Sequence, residues 1–387
     1  MIIAVDARPL VVRQVGGAEQ RARSIFNAWL ADEAMLREHQ FHLIYAKPAK
    51  AEAFDGAVLA ALPENFRVHE ISSYHMPSRY HLGTRFFNAL VRTLRAIRAD
   101  VYHAWTPLVP RTATCPVVPT IHDLSFELDP VVRRTAEGRE SRWMTQQSVN
   151  YANQLIAVSS QTKDDIVSIY DVPKERVEVV YNGIDPVFTP STGVRTLQSV
   201  HRASQISGTY LLTVGADIPR RNYSRMLEAM RQVWQSGSKA LWVLAGRDNW
   251  QASNIYTEAR KTGVIDKMRF VVAPSNRELA DLYRGAAMTC CASSFEGFGL
   301  SVLESMACGV AVACSDMQSL REVARDAVVY FAHDDAEAMG QTIQGLLDDA
   351  EYRRQLKYRG LYRASLFTWP TAAKLTLESL TKAATKN

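Results

Sequence analysis

Residues 293–316, SSFEGFGLSVLESMACGVAVACSD, combine glycines and carboxylates in a pattern suited to a polar ligand. An apolar strand leads into the turn EGFG (296–299), which opens a helix that Gly309 ends. The turn glycines let the backbone approach a ligand, and the first N–H groups of a helix favour phosphate or sugar oxygens. Glu296 and Glu304 could accept hydrogen bonds from hydroxyl groups at the two ends of an extended ligand. Taken alone, the spacing also fits an ordinary helix start with two surface glutamates.

Two adjacent arginines, Arg220 and Arg221, follow a strand that ends at Gly215. A guanidinium group binds phosphate through paired hydrogen bonds, and its permanent charge offsets negative charge that develops on a departing phosphate. Two solvated arginines at a helix start are the alternative, at a position where the helix dipole disfavours cations. The pair is therefore a candidate for binding a phosphate group.

Two further groups follow strands of the first half of the chain. Gly16 and Gly17 join a strand to a helix, where a glycine pair lets the backbone approach a ligand or simply makes a tight turn. The dinucleotide fingerprint G-x-G-x-x-G is absent. His122 and Asp123 end a strand that reads as buried, and a lone histidine at such a place is more often structural than functional.

Metal chemistry has little support in the sequence. No D-x-D tripeptide supplies a carboxylate pair for a divalent ion. The five cysteines, at 115, 290, 291, 308 and 314, lack metal-ligand spacing. We expect buried free thiols in a reducing cytoplasm, and no metal or other cofactor.

Short β-branched runs alternate with amphipathic stretches along the chain, which is typical of βα units on parallel sheets. In the first half the strand-like runs are 2–6, 41–46, 101–105, 117–123, 154–159 and 176–183, and the helical stretches are 18–30, 84–98, 139–152 and 160–169. In the second half the strand-like runs are 210–216, 240–246, 268–273, 288–293, 310–316 and 327–332, with helices near 222–236, 276–286, 299–308 and 334–348. We predict an α/β protein with two Rossmann-like domains and ligands in a cleft between them, at the carboxyl ends of strands.

A proline-punctuated segment, NGIDPVFTPSTG, separates the two halves. The predicted divisions are a first domain, a linker, a second domain and a C-terminal helical segment, at 1–185, 186–207, 208–366 and 367–387. The opening residues MIIAVDARPL are expected to form a first strand rather than a cleavable signal.

Length and composition exclude several classes of protein. The chain has 387 residues, of which 47% are apolar and 22% charged, close to a soluble globular average and unlike a disordered chain or a coiled coil. Its apolar runs are far shorter than the roughly 20 residues of a membrane span. The net charge of +5 is too small for a general nucleic-acid binder. The charge is uneven, since residues 67–98 contain six arginines and one glutamate.

The stretch 84–98 is expected to form a basic amphipathic helix, with apolar residues on one face and arginines on its flanks. Such a helix could lie on an anionic bilayer or meet a lipid-diphosphate acceptor. It could also pack its apolar face on a sheet and leave its arginines solvated. Tyr74, His75 and Tyr80, just before this helix, are candidate acceptor-binding residues together with Asp123.

An ordered set of motifs along nearly the whole chain resembles that of the family 4 retaining glycosyltransferases, which have the GT-B fold. The strongest motif is EGFGLSVLE followed by SMACGVAVACSD. The others are VVRQVGGAE, TIHDLSFE, AVSSQTKDDI, YNGIDPVF, VGADIPRRN, LAGRDNW and FTW. The resemblance implies a first domain that binds the acceptor, a second that binds a nucleotide-sugar donor, and a terminal helix that returns to the first domain.

The same resemblance implies roles for individual residues. Glu296 would bind the hydroxyls of the donor hexose, Glu304 would hold the ribose, and His122 would contact the donor sugar near the scissile bond. The remaining donor-binding residues would be Gly16, Gly17, Gly215, Arg220, Arg221, Gly297, Phe298, Gly299 and Leu300. Relatives have an Arg-Lys pair where Arg220 and Arg221 stand, and the resemblance implies that this pair binds the donor diphosphate. Some also have a further arginine where this chain has Ala216, so the match to the phosphate clamp is incomplete.

The TIHDLSFE and PRRN segments look most like those of bacterial mannosyltransferases of surface-polysaccharide assembly, such as lipopolysaccharide O-antigen. We therefore expect metal-independent transfer of mannose from GDP-mannose to a glycan or a polyprenyl-diphosphate-linked oligosaccharide, with formation of an α-glycosidic bond. The expected location is the cytoplasm or the cytoplasmic face of the inner membrane. A UDP-hexose or deoxyhexose donor is the first alternative. A sugar-nucleotide 2-epimerase would lack the EGFGLSVLE arrangement, and a silent carbohydrate-binding protein would be expected to lose Glu296 or the arginine pair.

Overall fold

The fold is described from a computed structural model that covers residues 1–12, 16–47, 54–60, 62–71, 84–190, 206–246 and 249–385. The chain divides into two compact units. The first unit contains Met1–Gly183 and Thr368–Asn387, and the second contains Ile184–Phe367. The predicted linker 186–207 begins inside the second unit, and 191–205 of it lie outside the described residues.

The first unit is built on a parallel sheet with seven strands among the described residues, in the order β3-β2-β1-β4-β5-β6-β7. The strands are β1 Ile2–Asp6, β2 Gln40–Tyr45, β3 Phe66–Glu70, β4 Val101–Ala104, β5 Val117–Ile121, β6 Leu155–Ala157 and β7 Val177–Val179. The helices are α1 Gly17–Leu30, α2 Glu33–Glu38, α3 Thr84–Ala96, α4 Ser125–Leu128, α5 Pro130–Arg134, α6 Ala136–Tyr151 and α7 Ser160–Tyr170. The strand order reverses between β1 and β4, and doubly wound sheets bind ligands beyond the carboxyl ends of their strands at such a point.

The second unit repeats this plan with six strands among the described residues, in the order β10-β9-β8-β11-β12-β13. The strands are β8 Tyr210–Val214, β9 Leu241–Gly246, β10 Met268–Val272, β11 Met288–Cys291, β12 Val312–Ser315 and β13 Val329–Phe331. The helices are α8 Tyr223–Gln235, α9 Asn254–Lys261, α10 Asn276–Gly285, α11 Leu300–Ala307, α12 Gln318–Ala324, α13 Ala336–Asp348 and α14 Ala350–Ser365. Here the order reverses between β8 and β11. Every residue of β11 and β12 is buried, because helices cover both faces of the sheet.

The last helix, α15 Trp369–Thr385, belongs to the first unit. It packs in the same apolar core as α1, and the indole N–H of Trp29 donates to the carbonyl of Ala373 at 3.1 Å. Gly183 allows this return of the chain, because a Cβ there would collide with the backbone of Thr368 and Trp369.

The predicted α/β class with two Rossmann-like units is confirmed. All twelve predicted strands are present, most of them shorter at one or both ends. The apolar pattern did not predict β3, because Phe66 alone is buried in that edge strand. It also missed the helices α2, α4, α5, α9, α12 and α14.

The cysteines are free thiols, and four of them are buried as predicted, whereas Cys115 is only half-buried. Within the part of the chain that the structure describes, no helix combines the length and the apolar composition that crossing a membrane requires.

Candidate functional site

The loops after β8 and β11 are joined by hydrogen bonds at the reversal point of the second sheet. The first of these loops contains a 3-10 turn at Pro219–Arg221. The backbone N–H of Ser294 donates to the carbonyl of Arg220 at 2.8 Å, and the Asn222 amide donates to the carbonyl of Ala292 at 3.2 Å. These bonds hold the arginine pair against the loop that carries Glu296.

Glu296 forms a charged cluster with both arginines. Its Oε1 lies 2.6 Å from Nη1 of Arg221, and its Oε2 lies 3.4 Å from Nη1 of Arg220. The Ser293 hydroxyl donates to the same Oε1 at 2.8 Å. Glu296 is only 7% exposed. The structure thus brings together three residues that the sequence places about 75 positions apart.

In this cluster each charged group stabilises the charged form of its partner, which burial alone would disfavour. Burial acts to raise the pKa of Glu296, but the charges of Arg221 and Arg220 outweigh it, and the pKa lies below its usual range. Burial acts to lower the pKa of Arg221, and the Glu296 carboxylate outweighs that effect and raises it. Both groups are therefore charged at neutral pH.

Gly215 has no side chain and so leaves room for the guanidinium group of Arg221. Its φ is +140°, and a Cβ there would lie 2.8 Å from Nε and 3.0 Å from Cζ of Arg221. The Tyr223 hydroxyl donates to the Gly215 carbonyl at 3.0 Å and fixes the same turn. The predicted glycine position is therefore needed for packing, and its predicted approach to the donor stays a prediction.

The turn 297–300 opens α11 as predicted. Gly299 caps the helix with φ +92°, and a Cβ at Gly299 would collide with Cδ2 of Leu320. Phe298 is buried and packs edge-on against Phe367 at 5.8 Å between ring centroids. Leu300 is the first helical residue and Gly297 precedes the buried ring. The backbone of this turn is therefore set by packing on both sides.

Glu304 lies one turn into α11 and is 6% exposed. The Tyr283 hydroxyl of α10 donates to its Oε2 at 2.9 Å. Burial, followed by the charge of Glu304, raises the pKa of Tyr283 well above its ordinary value, so the hydroxyl remains a donor. The sequence did not reveal that Tyr283 positions Glu304, because the two residues lie 21 positions apart and on different helices.

His122 follows β5 in the first unit and has a fixed tautomer. Its Nε2 lies 2.8 Å from the carbonyl oxygen of Trp105, which can only accept, so Nε2 carries a proton. Burial and then the charge of Arg21 lower the pKa of His122. In the neutral ring Nδ1 is therefore an acceptor that could bind a hydroxyl group.

Arg21 is a functional candidate that sequence reasoning missed. It is 1% exposed, and its Nη1 donates to Oδ1 of Asn182 at 2.6 Å. Its Nε and Nη2 have no hydrogen-bond partner among the described residues, and burial lowers its pKa to about 9. Its place in the sequence could have revealed it, because Arg21 is a charged residue on the face of α1 that buries Ile25 and Trp29.

Gly16 and Asp123 have local partners. The N–H of Gly16 donates to Oε2 of Glu19 at 2.7 Å, and Gly17 is the first residue of α1. Oδ1 of Asp123 accepts from the N–H and hydroxyl of Ser125 at 2.9 and 2.7 Å, which starts α4. Contacts of Gly16, Gly17 and Asp123 with substrates stay predictions.

The predicted acceptor residues Tyr74, His75 and Tyr80 lie outside the described residues. The basic helix that follows them is α3, which ends at Ala96. Its Leu90 and Leu94 are buried in a core cluster of the first unit. These leucines of α3 are therefore packed in the core, while Arg92 and Arg95 of the same helix are exposed.

Among the described residues, no three His, Cys, Asp or Glu side chains gather closely enough to hold a metal ion.

Comparisons with known proteins match both parts of the chain to glycosyltransferases. Residues 15–188 match the family model described as Glycosyltransferase Family 4, and residues 200–362 match the model described as Glycosyl transferases group 1. The O-antigen chain mannosyltransferase B of Escherichia coli is 25% identical over 74% of this chain and 75% of that protein. The O-antigen chain mannosyltransferase RfbU of Salmonella typhimurium is 27% identical over 53% of this chain and 54% of that protein. The match to RfbU thus spans only about half of that protein.

Solved structures share the fold at low identity. Sucrose-phosphate synthase from Thermosynechococcus elongatus has a TM-score of 0.78 at 17% identity and covers 100% of both chains. HepE of Anabaena, in complex with UDP and glucose, has a TM-score of 0.74 at 16% identity, over 98% of this chain and 99% of that chain.

Proposed function

Because the chain belongs to the family 4 glycosyltransferases of the GT-B fold, we propose that it transfers a hexose from a nucleotide sugar with retention of the α configuration. GDP-mannose is the favoured donor, since both O-antigen relatives are mannosyltransferases. The acceptor is a glycan or a polyprenyl-diphosphate-linked oligosaccharide, at the cytoplasmic face of the inner membrane. The observation that carries the proposal is the cluster of Glu296, Arg220 and Arg221 at the reversal point of the second sheet.

We assign donor binding to the loops that follow β8 and β11 and to helix α11. Glu296 forms ion pairs with both arginines. A donor diphosphate would offer them a second anion, while the Glu296 carboxylate accepts hydrogen bonds from the hexose hydroxyls. Glu304, oriented by Tyr283, accepts from the ribose hydroxyls.

The proposed reaction takes place on one face of the sugar. The bond between the anomeric carbon and the phosphate oxygen breaks, and the acceptor oxygen bonds to that carbon from the same side. The acceptor proton passes to the departing phosphate oxygen. Arg220 and Arg221 stabilise the charge that develops on this leaving group, so the route needs no metal ion.

A UDP-hexose is the second candidate donor. The observation in its favour is that HepE of Anabaena, which shares the fold, is described with UDP and glucose bound. Calorimetric titration with GDP-mannose, UDP-glucose, UDP-N-acetylglucosamine and dTDP-rhamnose separates the candidates. We expect GDP-mannose to bind most tightly, and tighter binding of UDP-glucose would replace it as the donor.

Glu296→Ala tests the assignment of the site. We expect turnover to fall by at least about 100-fold, because interactions made in the transition state are lost, while GDP binding stays measurable. Glu228→Ala, which removes an exposed carboxylate from α8, is the matched control and should keep full turnover. Unchanged turnover in the Glu296→Ala enzyme would refute the role of this carboxylate.

Metal independence has its own test. Transfer should persist in excess EDTA at the rate measured without it, since two guanidinium groups are proposed to neutralise the diphosphate. A strict requirement for added Mg²⁺ would contradict this part of the proposal.

A further inference from the structure

A pocket of about 530 Å³ in the first unit is lined mainly by arginines. It lies where α4, α5 and α6 meet, directly after the segment that carries His122 and Asp123. The lining includes Arg133, Arg134, Arg139, Arg142, Glu127 and Leu128, and we call it the arginine pocket.

The arginine pocket has an excess of positive charge. Glu127 is engaged on both oxygens, by Arg142 at 2.9 Å and by the Tyr170 hydroxyl at 2.9 Å. Arg133, Arg134 and Arg139 form no ion pair with any carboxylate of the described residues. Nε of Arg142 is buried and has no hydrogen-bond partner in the same part of the chain. Several donors at this one place thus lack an anion.

The fold holds these like charges together. Gly138 brings α6 against the end of α5, because a Cβ there would collide with the carbonyl of Val132. The Thr135 hydroxyl donates to that carbonyl at 2.8 Å and accepts from the N–H of Gly138 at 2.9 Å. Nη1 of Arg139 donates to the carbonyl of Arg134 at 2.7 Å. The like charges of these arginines repel each other, and a bound anion would relieve that repulsion.

Apolar side chains stand exposed beside these charges. Leu128, in the pocket lining, is 46% exposed, and Val131, on the first turn of α5, is 54% exposed. A site with both properties is complementary to a ligand that has an anionic head and an apolar chain.

We propose that the arginine pocket binds the diphosphate of a lipid-linked acceptor, with its apolar chain leaving past Leu128 and Val131. The proposal rests on the proposed function, which supplies the acceptor. It adds a binding site for the anionic part of that acceptor, at residues of which only Glu127 belongs to a motif discussed above. The guanidinium groups take the phosphate oxygens through charge-assisted hydrogen bonds.

Binding of geranyl diphosphate tests this site without any transfer reaction. Calorimetric titration is carried out with saturating GDP and UDP, so that Arg220 and Arg221 are occupied. The triple variant Arg133→Ser, Arg134→Ser, Arg139→Ser should weaken the Kd at least about tenfold, since hydrogen bonds to charged groups contribute strongly. An equal Kd in the variant and the parent would overturn the proposal.

A matched control removes the same charge elsewhere. Arg231→Ser, Arg260→Ser, Arg277→Ser replaces exposed arginines of the second unit and should leave the Kd unchanged. Leu128→Ser should weaken geranyl diphosphate but not inorganic pyrophosphate, because only the first has an apolar chain. If both triple variants weakened the binding of geranyl diphosphate equally, the effect would come from general charge attraction. That result would also overturn the proposed site.

Vesicles distinguish the acceptor from the bilayer itself. If the pocket served phospholipid headgroups, the pocket variant would lose its sedimentation with phosphatidylglycerol vesicles while keeping the parental Kd for geranyl diphosphate. The titration is independent of catalysis. If the protein transferred no sugar, the proposed function would be refuted. The titration would still show whether the arginine pocket binds a diphosphate with an apolar chain.

Discussion

At the residue scale, burial opposes the charge of Glu296 and two guanidinium groups restore it. Removing one partner of a buried ion pair typically costs about 3–5 kcal/mol, so the folding of each variant in this cluster has to be measured along with its activity. Residue types and motif order predicted that Glu296 and the arginines act on one ligand. They could not predict the contact of Glu296 with Arg221, because that contact depends on how the two loops pack.

Arg21 allows a prediction about pH. Its charge helps to lower the pKa of His122, so Arg21→Met should raise that pKa towards the ordinary value. If the neutral ring is the active form, the acid limb of kcat/KM then moves to higher pH, because His122 becomes protonated sooner as the pH falls. The measurement is a pH profile with NMR titration of His122.

Arg37→Met is the control for this experiment, because it removes an exposed arginine of the first unit that is not among the charges that lower the pKa of His122. It should leave the acid limb near its parental position. An equal shift in both variants, or no shift in the Arg21→Met enzyme, would contradict the electrostatic role of Arg21.

At the element scale, the turn glycines decide where α11 begins. Gly299 adopts φ +92° and has Leu320 where a side chain would be. The sequence predicted this glycine and the helix that follows it, because the Gly-rich turn is a local signal. Elements with weaker local signals, such as β3 with its exposed residues, were set by pairing with distant strands and could not be predicted.

Gly299→Ala should impair stability and donor binding together. Left-handed backbone costs a non-glycine residue about 1–2 kcal/mol, and the collision with Leu320 adds to that cost. Gly263→Ala is a matched control, since Gly263 has φ +71° with nothing within 4 Å of a Cβ. We expect chemical denaturation to show the larger loss for Gly299→Ala, and the donor KM to rise in that variant alone. Equal losses of stability in the two variants would contradict a role for the close contact between Gly299 and Leu320.

At the scale of the whole molecule, the first unit is discontinuous in sequence. Its core includes Trp369, Ala373 and Leu380 of α15 as well as Trp29 of α1. Motif order and the resemblance predicted a returning helix, but the change of unit at Gly183 depends on the close approach of that residue to Trp369. No local signal in the sequence reports such an approach.

Fragments test this arrangement. Residues 1–183 alone should aggregate, because each large apolar side chain left uncovered forgoes about 1.5–3 kcal/mol. A chain that joins 183 to 368 through a short flexible linker should be monodisperse and show near-ultraviolet circular dichroism of packed tryptophans. The two ends are already adjacent, so the linker should introduce little strain. A well-folded 1–183 fragment would contradict the role of α15.

The discontinuity also fixes an order of events during synthesis. A ribosome completes residues 184–367 before it makes α15, so the second unit has all of its chain while the first still lacks a helix. Until then Trp29 and its neighbours stay uncovered, and the nascent first unit is the part that chaperones would hold. The second unit, although made later, is thus the first that can finish folding.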